Sequence, residues 1–279
     1  MKKNIDENVV TDFGSEWSRF DQSGLTSDDH KDMFESYFHI FPWGGLTSRS
    51  VGADIGCGSG RWASLVAPRV GHLHLVDPSQ DALNVAVKNL AHCRNVSYHC
   101  LSVDALPFQK DSLDFAYSLG VLHHVPDTGA AIIDIAQCLK PGSPFLLYVY
   151  YAFDTRPFWF RALWKLTNLI RKVISVWPNV MKNIAADGIA LLIYWPLSRA
   201  AKILDRLNSL PESWPLNYYR DRSFYVLRTD ALDRFGTKLE HRFTKTQVES
   251  MLLAAGFENI LFSDRQPFWT AIAYKKITR

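Results

Sequence analysis

Cysteine is scarce, four residues in 279, and none of Cys57, Cys93, Cys100 and Cys138 stands in CxxC spacing. That excludes a disulfide scaffold and a thiolate zinc site, and leaves incidental thiols of a reducing compartment. An excess of one charge is also lacking. The 31 Lys and Arg against 28 Asp and Glu leave a net charge of +3, too little on its own to argue for a nucleic-acid partner. The first residues, MKKNIDENVV, contain no apolar core that would make them a secretion signal, so a cytoplasmic location is expected. The apolar run GIALLIYWPL at 188–197 is too short to span a bilayer. The nine histidines are scattered, and no metal is expected. Against these absences, 47% of the residues are apolar, enough for a large core.

Between about residues 50 and 150, short β-like runs alternate with helical patterns. Val51–Ile55, His72–Val76, Val96–Leu101, Leu113–Tyr117 and Phe145–Tyr151 read as strands. Arg61–Ala67, Ser79–Ala91 and Gly129–Leu139 read as helices, with Pro68 and Pro141-Gly142 as stops. Strands joined by helical crossovers run parallel, with helices on both faces. Thr244 with Gln247 three residues on is a capping-box signature for another helix. The strands Phe257–Phe262 and Trp269–Tyr274 that follow are too close for a crossover, so they form an antiparallel hairpin. The expected fold is a doubly wound α/β sheet, seven-stranded and mostly parallel, with a mixed edge.

In such sheets ligands bind beyond the carboxyl ends of the strands. The stretch VGADIGCGSGRW, 51–62, sits there. A glycine turn between strand and helix lets a ligand approach the backbone and is expected to aim free N–H groups at it. Asp54 separates the ligands this turn could serve. An acid there would repel a pyrophosphate, whereas it suits a cationic head such as the ammonium and sulfonium of S-adenosylmethionine. The spacing of Gly56, Gly58 and Gly60 is GxGxG, not the GxGxxG of dinucleotide folds. Asp77 ends the second strand, where a carboxylate can take both hydroxyls of a ribose, and Asp104 follows the third, where it could accept from an adenine amino group. Each acid alone reads equally well as a helix cap or a loop acid. Three in register at successive strand ends are harder to obtain by chance.

These residues resemble the class I S-adenosylmethionine-dependent methyltransferases, especially the ubiquinone and menaquinone methyltransferase branch. The resemblance is carried by DIGCGSG at 54–60, LVDPS at 75–79, DALPF at 104–108, LDFAYSLGVLHHVPD at 113–127 and LKPGSPFLLY at 139–148. It covers about residues 50–151, and more weakly 244–274. It implies a Rossmann-like methyltransferase fold whose last strand is inserted antiparallel. The glycine turn with Asp54 would hold the methionine part, Asp77 the ribose, and Asp104 with Ala105 the adenine. Ser118 and Leu119 would flank the donor, and Cys57, Arg61 and Pro78 complete the cofactor-binding set. The implied reaction moves the cofactor's methyl group to a small-molecule or lipid-like acceptor. If the acceptor must lose a proton, His123 or His124 could take it, although a histidine satisfied by a backbone contact explains the pair as well.

The expected organisation is a helical segment over 1–49 that closes the site, a catalytic domain over 50–151 and 244–279, and a mainly helical cap over 152–243, too long to be a loop. In FGSEWSRF, 13–20, an amphipathic helix would lay Trp17 over the cofactor or the core. RPFWFRALWKLTNLIRKVISVWP, 156–178, reads as a helix with Arg161, Lys165, Asn168, Lys172 and Ser175 on one face and an apolar opposite face. The plain expectation is an apolar face packed on the core and a basic face in solvent. Peripheral membrane contact through 158–177 and a homo-oligomer through the cap are the other two readings. Tyr219, Tyr225, Arg228 and His241 are candidate acceptor contacts, with ion pairing and packing as the alternative. Two other functions stand beside methyl transfer to a small molecule. One is a cofactor-binding module acting through a protein partner. The other is a nucleic-acid methyltransferase, for which neither an NPPY-like tetrapeptide nor a continuous basic face is present.

Overall fold

A computed structural model describes residues 3–154, 156–211 and 214–277. The chain divides into two units: Met1–Gln22, Asp32–Ala152 and Leu239–Arg279 form the first, and Ser23–Lys31 with Phe153–Lys238 the second. Helix α1 (Glu7–Arg19) begins where the Asp6 carboxylate accepts from the Asn8 and Val9 amides, and α2 (Ser27–Phe38) follows. Next come β1 (Val51–Ile55), α3 (Ala63–Val66), β2 (His72–Val76), α4 (Gln80–Asn89), β3 (Val96–His99), β4 (Phe115–Leu119), α5 (Thr128–Cys138) and β5 (Pro144–Tyr148). The chain then passes through α6 (Phe158–Ile174), α7 (Asn179–Ile189), α8 (Trp195–Arg206) and α9 (Phe224–Gly236), with a π-helical stretch, Ala190–Tyr194, joining α7 to α8. It ends in α10 (Lys245–Ala254), β6 (Phe257–Phe262) and β7 (Thr270–Lys275).

The strands form one seven-stranded sheet in the order β3-β2-β1-β4-β5-β7-β6. The first five are parallel, and β7 is antiparallel to both β5 and β6. The order reverses between β1 and β4, which places the switch point there. Period-two alternation sorts the core into two layers. Ala53, Ile55, Phe145 and Leu147 pack on one face with Ile132 and Ile135 of α5. Phe115, Tyr117 and Leu146 pack on the other with Leu83 of α4. The capping box is formed as expected: Thr244 Oγ1 accepts from the Gln247 amide, and Gln247 Oε1 from the Thr244 amide. Several expected boundaries move, among them these: β3 ends at His99 and β5 at Tyr148. Leu113 makes only an isolated bridge to Leu139, so β4 starts at Phe115. The helix after the glycine turn is only α3, followed by a 3-10 turn over Ala67–Arg69 that contains Pro68.

Within the second unit, α9 packs against α6, α7 and the π-helical stretch through a buried row that includes Val226, Ala231 and Phe235. The expected orientation of α6 holds for its basic positions Arg161, Lys165 and Lys172, which are exposed, but not for its apolar face, much of which is exposed too. Arg171 is 6% exposed, its Nη1 donating to the Thr237 and Lys238 carbonyls at 2.7 and 3.1 Å and its Nε to Asn168 Oδ1. Ser175 is also buried, whereas Leu166, Leu169 and Val173 face solvent. Unpaired carbonyls at the end of α9 need a donor, and the Arg171 guanidinium supplies it, which turns the polar edge of the helix inward.

Candidate active site at the carboxyl edge of the sheet

Asp54, near the end of β1, is 1% exposed, and no donor reaches its Oδ2. Burial pushes its carboxyl up to about 8; the Tyr117 hydroxyl beside it works in the opposite sense and the Asp77 charge adds to the rise. Ser59 Oγ is likewise buried without a partner, and the buried Tyr117 hydroxyl interacts with the Asp54 carboxyl. The turn that follows runs through positive φ at Gly56 (+78°), Gly58 (+51°) and Gly60 (+73°). A Cβ at Gly56 would lie 2.3 Å from Val121 Cγ1, and one at Gly58 2.7 Å from Trp17 Nε1, so conformation and space both demand glycine.

Several of the turn's amides are taken up within the protein. The N–H groups of Gly56 and Cys57 donate to the Val76 carbonyl at 2.7 and 3.1 Å, and that of Gly58 to Asp77 Oδ2 at 2.9 Å. Asp77 Oδ1 accepts from the Ser79 amide at 2.8 Å. These bonds lock β1's turn onto the end of β2. Burial raises the Asp77 carboxyl to about 6, with the two amides restraining the rise. A pyrophosphate would therefore meet a buried acid and committed amides. A cation would complete the orphaned Asp54 oxygen. The arrangement fits a cationic ligand head.

Residues 53–147 match the methyltransferase domain family. The chain carries a class I S-adenosylmethionine-dependent methyltransferase domain. Over 145 residues the chain is 32% identical to the ubiquinone biosynthesis O-methyltransferase of Idiomarina loihiensis, covering 50% of this chain and 59% of that protein. Over 100 residues it is 34% identical to phosphoethanolamine N-methyltransferase 2 of Caenorhabditis elegans, covering 35% of this chain and 23% of that one. Each match thus spans less than two thirds of the relative's length. A solved S-adenosylmethionine-dependent methyltransferase from Methanosarcina mazei shares the fold, with a TM-score of 0.52 at 15% identity over 86% of this chain and 99% of that one.

Around this methyltransferase domain the anticipated site residues fall into three groups. Asp54, Asp77 and Asp104 do stand at successive ends of β1, β2 and β3. Asp104, next to the exposed Ala105, accepts from the Ser102 hydroxyl and, at 2.8 Å, from the Asn4 amide; these two contacts hold its carboxyl below the usual range. The N-terminal helix comes to the same edge. Trp17 seats on Gly58 with the Arg61 guanidinium 5.2 Å from its ring centroid, and Phe13 lies 4.9 Å from His124. Ser118 is fully buried, and its hydroxyl donates to the Ile55 carbonyl at 2.8 Å, tying β4 to β1. Leu119 and Cys57 are buried beside it in the same core layer, and Pro78 takes the Cys100 thiol on its carbonyl.

The histidine pair lies past β4. His123 has 0% exposure, stacks on Tyr150 at 3.8 Å and is held well below its ordinary pKa by burial and by neighbouring His124, Arg242 and His241. It is neutral and enclosed. The His124 Nδ1 lies 2.7 Å from the Leu239 carbonyl, the backbone contact that was the alternative to catalysis. The His241 amide donates to the His123 carbonyl at 2.9 Å, so His241 belongs to the same corner. Tyr219, Tyr225 and Arg228 belong to the second unit. There Tyr225 packs on Gly24, and Arg228 makes a two-pronged ion pair with Asp187 at 3.0 and 3.1 Å, the alternative named for it beside acceptor contact. Tyr117, Tyr150 and Asn4 carried no sequence signal as site residues. The first two sit within apolar strand runs, and the third is linked to the site only across about a hundred residues of chain.

Proposed function

We propose that the protein transfers the methyl group of S-adenosylmethionine to a small-molecule or lipid-like acceptor with hydrophobic or aromatic parts. One observation carries this reading: a chain of ring contacts beside the switch point. Tyr37 lies 5.2 Å from Trp62 and 5.1 Å from Tyr148, which lies 6.0 Å from Tyr150. Tyr148 and Tyr150 stand at the end of β5, away from Asp77 and Asp104, and the ring chain runs from them through Tyr37 of α2 to Trp62 after the glycine turn. Such a wall favours an acceptor that offers apolar or aromatic surface.

Bound S-adenosylmethionine supplies a methyl group already activated on a sulfonium, so the chain's task is alignment and exclusion of water. Asp54, once ionised, holds the cationic head. Asp77 and Asp104 orient the ribose and adenine, Trp17 covers the glycine turn, and the tyrosine wall orients the acceptor. Where the acceptor must lose a proton, His124 is the candidate: with Nδ1 hydrogen-bonded to Leu239, the basic nitrogen is Nε2. His123 is assigned packing rather than proton transfer. The relatives' names point to a quinone-pathway O-methyltransferase and a phosphoethanolamine N-methyltransferase, which agree on a small acceptor and differ in the methylated atom.

The test is incubation with methyl-labelled cofactor and panels of phenols, quinols and amines. The expected result is label in an acceptor of apolar or aromatic character, with Tyr148→Ala raising KM about tenfold at little cost in kcat. Firm cofactor binding with no transfer to any acceptor would instead support a binding module that acts through a partner.

A further inference from the structure

We infer that α6, with the turn after it, is a docking surface for a bilayer containing anionic lipid. The inference is independent of which acceptor is methylated. It starts from the exposed apolar arc of this helix. Arg171 and Asn168 are spent inward on the α9 end, while Leu166, Leu169 and Val173 are 58%, 60% and 56% exposed. The apolar arc continues past the helix through Val176, Trp177 and Val180, all exposed. A continuous apolar arc turned to solvent on a surface helix marks an interaction face.

Charge identifies the occupant. Arg161, Lys165 and Lys172, at 100° per residue, fall within about 40° of one another along one border of the arc. All three are exposed. Helix α6 contains no Asp or Glu. A second copy pairing through the same helix would bring no carboxylate to that border, whereas anionic headgroups bring the complementary charge all along it. Trp159 and Trp177, both partly exposed, mark the two ends of the surface, as interfacial aromatics do. At 17 residues the helix extends about 25 Å, suited to lying in the interface plane. No helix among the described residues is long and apolar enough to cross a membrane, so the contact is peripheral.

The experiment is vesicle flotation with the full chain, on phosphatidylcholine alone and on phosphatidylcholine mixed with phosphatidylglycerol. Binding to the mixed vesicles is expected, about tenfold weaker without the anionic lipid and weakened by salt. Leu169→Asp, at a solvent-facing position, should cut vesicle binding at least about tenfold while leaving the cofactor titration and circular dichroism unchanged. Lys165→Gln and Lys172→Gln should each weaken it about fivefold. Failure of protein with normal cofactor binding to float with the mixed vesicles would overturn the inference. A concentration-dependent dimer in sedimentation that Leu169→Asp dissolves would overturn it too, by placing a second copy on this face.

Discussion

Asp54 sets the pH behaviour of the site. Its carboxyl rises from 3.8 to about 8 on folding, so between those values the native chain keeps a proton that the unfolded chain has released. Stability of the cofactor-free protein therefore falls as pH rises through that window, and Asp77, raised to about 6, acts in the same direction over a narrower range. Thermal melts at a series of pH values should show the decline, and Asp54→Asn should flatten it. In the proposed site the cofactor's cation selects the ionised Asp54, so binding should release a proton below about pH 8 and tighten with pH by up to about tenfold per unit. Calorimetry in buffers of different ionisation enthalpy reads that proton directly. Absence of proton release would contradict the assignment of Asp54. Gly58 is the second decisive residue. Gly58→Ala combines a left-handed φ, costing about 1–2 kcal/mol, with a clash against Trp17. A lowered melting temperature and weaker cofactor binding are expected, and Trp17→Ala in the same chain should restore part of the stability but not the affinity.

At the scale of elements, α1 is tied to the site by one residue beyond its own cap. Asn4 Nδ2 donates to the Asp127 carbonyl at 2.7 Å and its Oδ1 accepts from the Asp127 amide at 2.8 Å. Asn4→Ala should raise hydrogen exchange across Glu7–Arg19 and weaken cofactor binding a few-fold, while the sheet amides stay protected. In the second unit, Arg171→Leu strands the Thr237 and Lys238 carbonyls and should cost about 1–3 kcal/mol in a urea melt. These elements also show what the sequence could and could not reveal. The alternation of Val51–Ile55 with its neighbours was legible because buried parallel strands and their crossover helices have different periods. The Thr244 box was legible because its chemistry is local. Helix α6 was recognisable as two-faced, but periodicity does not say which face packs, and that was settled by carbonyls near Thr237, far along the chain. The hydrogen bonds of the Gly56 and Cys57 amides were not legible for a related reason: their acceptor, the Val76 carbonyl, belongs to another strand. Asn4 was invisible because a single polar residue has no pattern.

For the whole molecule, the methyltransferase unit concentrates its chemistry at one edge of the sheet, with acids on the β1–β3 side and aromatic rings running from the end of β5 to Trp62 after the glycine turn. The second unit, centred on α9, concentrates exposed apolar surface instead, on α6 and again at Leu191, Leu192 and Ile193 of the π-helical stretch. The net charge of +3 hides this division because it averages over both. Its arrangement, a cationic border on one helix and buried acids at one strand edge, underlies the separate proposals of a lipid surface and a cofactor as ligands. The most direct test of the central claim is calorimetric titration of S-adenosylmethionine, with NAD as the comparison ligand, into the native chain and into Asp54→Asn at about pH 8. Saturable S-adenosylmethionine binding, weakened at least about tenfold by the substitution, with no heat from NAD, is the predicted result. Equal affinity in the two proteins, or binding of NAD in place of S-adenosylmethionine, would contradict it.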